Sequence, residues 1–122
     1  LDTAPYGAHT TASDALWAGV PVVTMAGDTL ASRVAGSLLH AVGLPELITV
    51  DEDDYVAVAL TLATEPDLLR ATKTRLQCGR LLAPLFDAPA YARSLQDLYE
   101  QMWDRRRRGV GRDAIWATAA PA

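Results

Sequence analysis

Cysteine is nearly absent: Cys78 is the only one in 122 residues. A lone thiol excludes an internal disulfide, and no Cys/His cluster has metal-ligand spacing. A reducing, cytoplasmic setting without a structural metal is therefore expected. No apolar run approaches the roughly 20 residues that span a bilayer, and no signal peptide is visible, so no membrane partner is expected. The chain begins at Leu1 rather than Met and reads as a piece of a longer protein, which takes the weight from a missing signal. Cations are also scarce, but only at one end. Residues 1 to 67 hold ten acids and a single base, Arg33, whereas residues 68 to 122 hold five acids and ten bases. The net charge of −4 conceals this asymmetry.

What is present is an apolar half, enough for one domain with a core. Its most informative stretch runs from His9 to Met25. A polar loop enters a short helix capped by Thr10 or Thr11 and reaching about Ala18. Gly19 supplies a left-handed C-terminal residue, and Pro21 prevents continuation. The strand Val22-Val23-Thr24-Met25 follows, apolar enough to be buried on both faces as in a parallel sheet. A helix N-terminus presents unpaired N–H groups and about half a positive charge, so the stretch suits an anion such as phosphate. Thr10 and Thr11 add hydroxyls there. In so acidic a half, a further cation is expected from outside the chain to offset a diphosphate.

Beyond Ala26-Gly27-Asp28-Thr29, read as turn and cap, the spacing of Leu30, Val34 and Leu38 predicts a second helix ending at Gly43. Leu47 to Val50 reads as another strand. Asp51 to Asp54 fits the acidic first turn of a helix to about Thr64, a cap rather than a metal site. Glu65-Pro66-Asp67 opens a further helix to about Leu82. A last helix carries Tyr91, Leu95, Leu98 and Met102 on one face and closes at Arg105 to Arg108. That arginine run lacks interleaved aromatics, so it reads as a solvated helix end and not a nucleic-acid contact. Residues 109–122 read as an irregular tail. Leu1-Asp2-Thr3 reads as the end of a strand, Leu16, Trp17 and Val34 as core, and Cys78 as structural. Alternating strands and helices indicate right-handed βαβ units: an α/β, Rossmann-like half lobe with short parallel strands and a long C-terminal helix. Ligands of such sheets bind beyond the carboxyl ends of the strands, where the loop from Ala4 to His9 would lie.

These residues resemble the catalytic region of glycosyltransferase family 41, the protein O-GlcNAc transferases and their relatives. The likeness rests on Leu1-Asp2-Thr3, His9-Thr10-Thr11, Asp14 through Thr24, Gly27, Leu30 through Val34, Gly43 through Ile48, Pro84-Leu85-Phe86-Asp87, and Leu95 through Trp103. It covers residues 1–108 in unbroken order. The resemblance implies the C-terminal, nucleotide-binding lobe of a GT-B enzyme, with 1–108 as a fragment of it. Such an inverting enzyme transfers N-acetylglucosamine or a similar sugar from a UDP-sugar to Ser or Thr of an acceptor protein, without a metal or other cofactor. It further implies that Thr10 and Thr11 hold the diphosphate, that His9 sits beside it on the sugar side, and that Asp14 accepts from the ribose hydroxyls. The catalytic base, the phosphate-binding lysine and an N-terminal part with tetratricopeptide repeats would lie outside this chain. Tyr6-Gly7-Ala8 departs from the Asn-Gly or Asn-Ala of other members, which leaves the donor sugar open.

Each site residue also has a plainer reading. Thr11 and Asp14 match a capping box, and His9 is equally a solvent-exposed loop histidine. Arg33 is a phosphate ligand or the partner of a nearby acid and stays outside the site. At the level of function, a non-catalytic α/β interaction module and a GT-B transferase with another UDP-sugar or a non-protein acceptor are the alternatives.

Overall fold

The structure, a computed structural model, describes residues 1–117. It divides into two compact units, Leu1–Phe86 and the segment from Asp87 onward. In the first unit, helix α1 (Thr10–Trp17) leads through Gly19, at φ +79°, into strand β1 (Thr24–Met25). Helix α2 (Val34–Ala41), a 3-10 turn at Pro45–Leu47 and strand β2 (Ile48–Thr49) follow. Helices α3 (Glu52–Thr64) and α4 (Pro66–Gly79) complete the unit, with a second 3-10 turn at Pro84–Phe86. The two strands pair in parallel, Thr24 opposite Ile48 and Met25 opposite Thr49, so α2 is the crossover of a βαβ unit.

Both strands are shorter than the apolar runs predict. Val22 and Val23 are buried as expected, but each strand of a two-stranded sheet has one partner, and only two residues of each complete the ladder. Leu1 to Thr3 forms no strand; one backbone bond remains, from Asp2 N–H to Val23 O at 2.9 Å. Helix α2 starts at Val34 because Ser32 closes a local turn instead. Its N–H and hydroxyl both donate to Thr29 O, at 3.2 and 2.9 Å, an arrangement that competes with helix. Leu30 is thereby left outside the helix and 84% exposed. Asp51 caps α3 as the acidic tetrad predicts, its carboxylate accepting from Asp54 N–H at 2.8 Å.

Leu16, Leu39, Leu44 and Leu76 are almost fully buried and form the core with Val23, Leu47 and Leu62. Val34 is half-buried, and Trp17 is not core. Trp17 ends α1 at 49% exposure, its ring under the Arg80 guanidinium at 5.1 Å and edge-on to Phe86 at 5.0 Å. Arg80 also donates to Trp17 O at 2.5 Å, placing a cation at the negative end of α1. Cys78 lies exposed on α4 rather than in the core.

The second unit is helix α5 (Ala88–Arg107), capped by Asp87 and closed by Gly109 at φ +66°. No residue of α5 is buried within the chain, and Tyr91 and Met102 are more than half exposed. From Val110 to Ala117 there is neither helix nor strand, although Arg105 donates to Gly111 O and Gln101 to Trp116 O. Residues 118–122 of the expected tail lie outside the described residues.

Tyr55 joins α3 to the N-terminal segment: its hydroxyl donates to Asp2 O at 2.6 Å. Burial, then the negative Asp2 carboxylate, pushes the phenol pKa up. A raised acid contributes stability that is complete below its unfolded value of about 10 and lost as pH climbs through the folded value. Tyr55→Phe should therefore cost about 1 kcal/mol near neutrality and flatten the loss of stability above pH about 10, as measured by urea unfolding across pH. Leu39→Ala should cost about 2–5 kcal/mol in the same assay, through lost burial and a cavity.

Candidate functional site

The site begins with an imperfection in α1. The helix starts at Thr10, with His9 as its N-cap, and no side chain caps it. The first backbone bond of the helix runs from Ser13 N–H to His9 O, so the N–H groups of Thr10, Thr11 and Ala12 have no acceptor among the described residues. Thr10 and Thr11 are inside the helix, not at its cap. The expected capping box between Thr11 and Asp14 is consequently not formed, and Thr10, Thr11 and Asp14 are all exposed. Their side chains make no hydrogen bond or ion pair among the described residues.

The loop that delivers α1 is held from below by Asp2. One carboxylate oxygen accepts from the N–H groups of Thr3 and Ala8, both at 2.7 Å. The other accepts from the hydroxyl of Thr24, also at 2.7 Å. Thr24 is a buried polar residue on β1, and Asp2 is what satisfies it. Gly7 passes close over this carboxylate: a Cβ there would stand 3.1 Å from both Asp2 Oδ2 and Ala31 O. Gly7 N–H donates to the same Ala31 carbonyl.

His9 is not a free loop histidine. Its Nε2 lies 3.2 Å from Ala31 O, and Tyr6 stacks on the ring at 5.1 Å with 20° between planes. A carbonyl only accepts, so this contact requires the proton on Nε2 and leaves Nδ1 available. Together Asp2, Tyr6, His9, Thr10 and Thr11 line an open cleft of about 550 Å³. Asp14 is not part of its lining, but stands one turn along α1, three and four residues from Thr11 and Thr10 and so on their side of the helix.

The arrangement can hold an anion through fixed dipoles, hydroxyls and one imidazole. Among the described residues lining the cleft there is no Lys or Arg. Arg33 makes no ion pair with an acid among the described residues: it is exposed, and its guanidinium donates to Gly27 O at 3.4 Å. No group of three or more His, Cys, Asp or Glu among the described residues is placed to hold a metal ion, and no described helix is long and apolar enough to cross a membrane.

Sequence reasoning missed the Asp2 carboxylate and the Ala31 carbonyl as supports of the site. Thr24 was the available signal, a hydroxyl in the middle of an apolar strand that must find a partner. The partner itself is remote in sequence and was not readable.

The profile of glycosyl transferase family 41 matches residues 1–95. A UDP-N-acetylglucosamine–peptide N-acetylglucosaminyltransferase of Caenorhabditis elegans is 42% identical over 115 residues, covering 94% of this chain and 10% of the relative. A probable enzyme of the same name, SPINDLY of Hordeum vulgare, is 41% identical over 105 residues, covering 86% of this chain and 11% of the relative. Among solved structures, a mutant O-GlcNAc transferase of Thermobaculum terrenum superposes with a TM-score of 0.82 at 34% identity, covering 89% of this chain and 21% of that one. The chain spans about a tenth of the length of the curated relatives it matches. With a shared sequence over most of its length and a shared α/β fold, the chain belongs to glycosyl transferase family 41.

Proposed function

We propose that the cleft at the start of α1 receives the diphosphate of a UDP-sugar, and that the chain is the nucleotide-gripping part of an inverting glycosyltransferase. In this reading Thr10 and Thr11 donate to the diphosphate, His9 sits beside it on the sugar side, and Asp14 accepts from the ribose. The observation that carries it is the unpartnered first turn of α1, three N–H groups and two exposed hydroxyls at one end of a packed helix. As the sugar leaves, UDP gains negative charge, and donors fixed in advance stabilise it without reorganising. Each is worth about 3 kcal/mol of barrier by analogy with oxyanion-hole deletions.

The relatives' names support N-acetylglucosamine as the transferred group and a peptide as the acceptor. Ser and Thr are the acceptor side chains in this reading. Residues 1–108 form a fragment of the nucleotide lobe in this reading. The acceptor-facing lobe, the catalytic base, a phosphate-binding cation and tetratricopeptide repeats come from segments outside the chain. The charge on the diphosphate is assigned to that basic side chain and not to a metal. A reducing, cytoplasmic setting suits an exposed and solitary Cys78.

Calorimetry with UDP and with inorganic pyrophosphate tests the roles separately. Thr11→Val should weaken both ligands by about 10-fold or more, the loss of one charge-assisted hydrogen bond. Asp14→Asn should weaken UDP and leave pyrophosphate unchanged, because only UDP carries a ribose. The chain alone should bind UDP weakly and transfer no sugar. Equal affinities in wild type and both variants, or measurable transfer by this chain, would overturn the assignment.

A further inference from the structure

We infer that Asp2 is a positioning residue for the anion cleft: its carboxylate sets the path of the loop from Thr3 to His9 and thereby the place at which α1 begins. The inference rests on the proposed ligand for its binding readout but not for its structural one. Three donors converge on this carboxylate, Thr3 N–H, Ala8 N–H and the Thr24 hydroxyl, each at 2.7 Å. Two of them belong to the loop and the third to β1. The side chain therefore staples the loop at Ala8, one residue before the His9 N-cap, to the first residue of β1.

The electrostatics point the same way. A carboxylate lining a cleft for a polyanion is unfavourable unless its charge is otherwise engaged, and here both oxygens accept hydrogen bonds. The Ala8 N–H is spent on Asp2, which reserves for a ligand the N–H groups of Thr10, Thr11 and Ala12. Without the carboxylate, Ala8 N–H loses its acceptor and the loop loses its link to Thr24. His9 and the first turn of α1 would then be presented over a range of positions, and donors that are not fixed bind less well.

Substitution of this side chain leaves the main-chain anchors in place. Asp2 N–H still reaches Val23 O, Tyr55 still reaches Asp2 O, and Gly7 N–H still reaches Ala31 O. Asp2→Ala is therefore expected to fold. Asp2→Asn keeps an oxygen for Ala8 N–H and offers an amide to Thr24, whose hydroxyl can turn and accept. Tyr55→Phe is the control, since it removes a bond to the Asp2 carbonyl and none to the carboxylate.

The experiment is a UDP titration of the 122-residue chain followed by amide NMR, run on wild type and the three variants. In the absence of ligand, Asp2→Ala should move the Ala8 amide upfield and broaden the signals of residues 8 to 11, while Asp2→Asn and Tyr55→Phe leave them near their wild-type positions. With UDP, Asp2→Ala should bind at least 10-fold more weakly, Asp2→Asn no more weakly than wild type, and Tyr55→Phe within about 3-fold. An unmoved Ala8 amide in Asp2→Ala, or wild-type affinity in that variant, overturns the positioning role. Equal weakening by Asp2→Ala and Tyr55→Phe also overturns it, because general stability would then explain the loss. A wild-type chain that shows the expected Ala8 signature but no response to UDP contradicts the proposed ligand and leaves the structural role of Asp2 standing.

Discussion

The carboxylate of Asp2 is the point on which the rest of the site depends. Through Thr24 it reaches β1, and through Ala8 it reaches the loop that becomes α1. Its carbonyl takes the Tyr55 hydroxyl of α3. The entry loop of α1, β1 and α3 thus meet at one residue. Because the loop is fixed there, α1 starts at Thr10 without a side-chain cap, and the free N–H groups of its first turn open onto a cleft. The cradle follows from how the chain enters the helix as much as from the threonines themselves.

Charge limits what that cradle does alone. The half of the chain that carries it has one base against ten acids, and that base, Arg33, is turned to a backbone carbonyl. A helix terminus contributes about 0.3 to 1 kcal/mol toward an exposed anion, too little for a diphosphate in a negative field. In the proposed function, oriented donors add direction and transition-state preference, and neutralisation is left to a cation outside the chain. That proposed division of labour is consistent with a chain that spans about a tenth of its curated relatives.

The fold was legible where periodicity and caps speak clearly. Asp51 as a cap, Gly19 as the left-handed end of α1, the parallel pairing and the long final helix were all readable from local pattern. Where local chemistry competed, the reading slipped: Thr29 and Ser32 close their own turn, so Leu30 leaves its expected helix face for solvent. Trp17, expected in the core, instead lies at a helix end under a cation, a contact set by Arg80 more than sixty residues away. At the site, His9, Thr10 and Thr11 are brought to one cleft as their adjacency suggests. The Asp2 support was hidden because nothing in a one-dimensional pattern pairs a terminal aspartate with a hydroxyl 22 residues on.

The central claim is that the first turn of α1 is where a nucleotide diphosphate is held. A crystal structure of the chain grown with UDP tests it most directly. The account predicts phosphate oxygens within hydrogen-bond distance of the N–H groups of Thr10, Thr11 and Ala12, with a ribose hydroxyl at Asp14. A diphosphate bound elsewhere on the chain, with that first turn left to solvent, would contradict it.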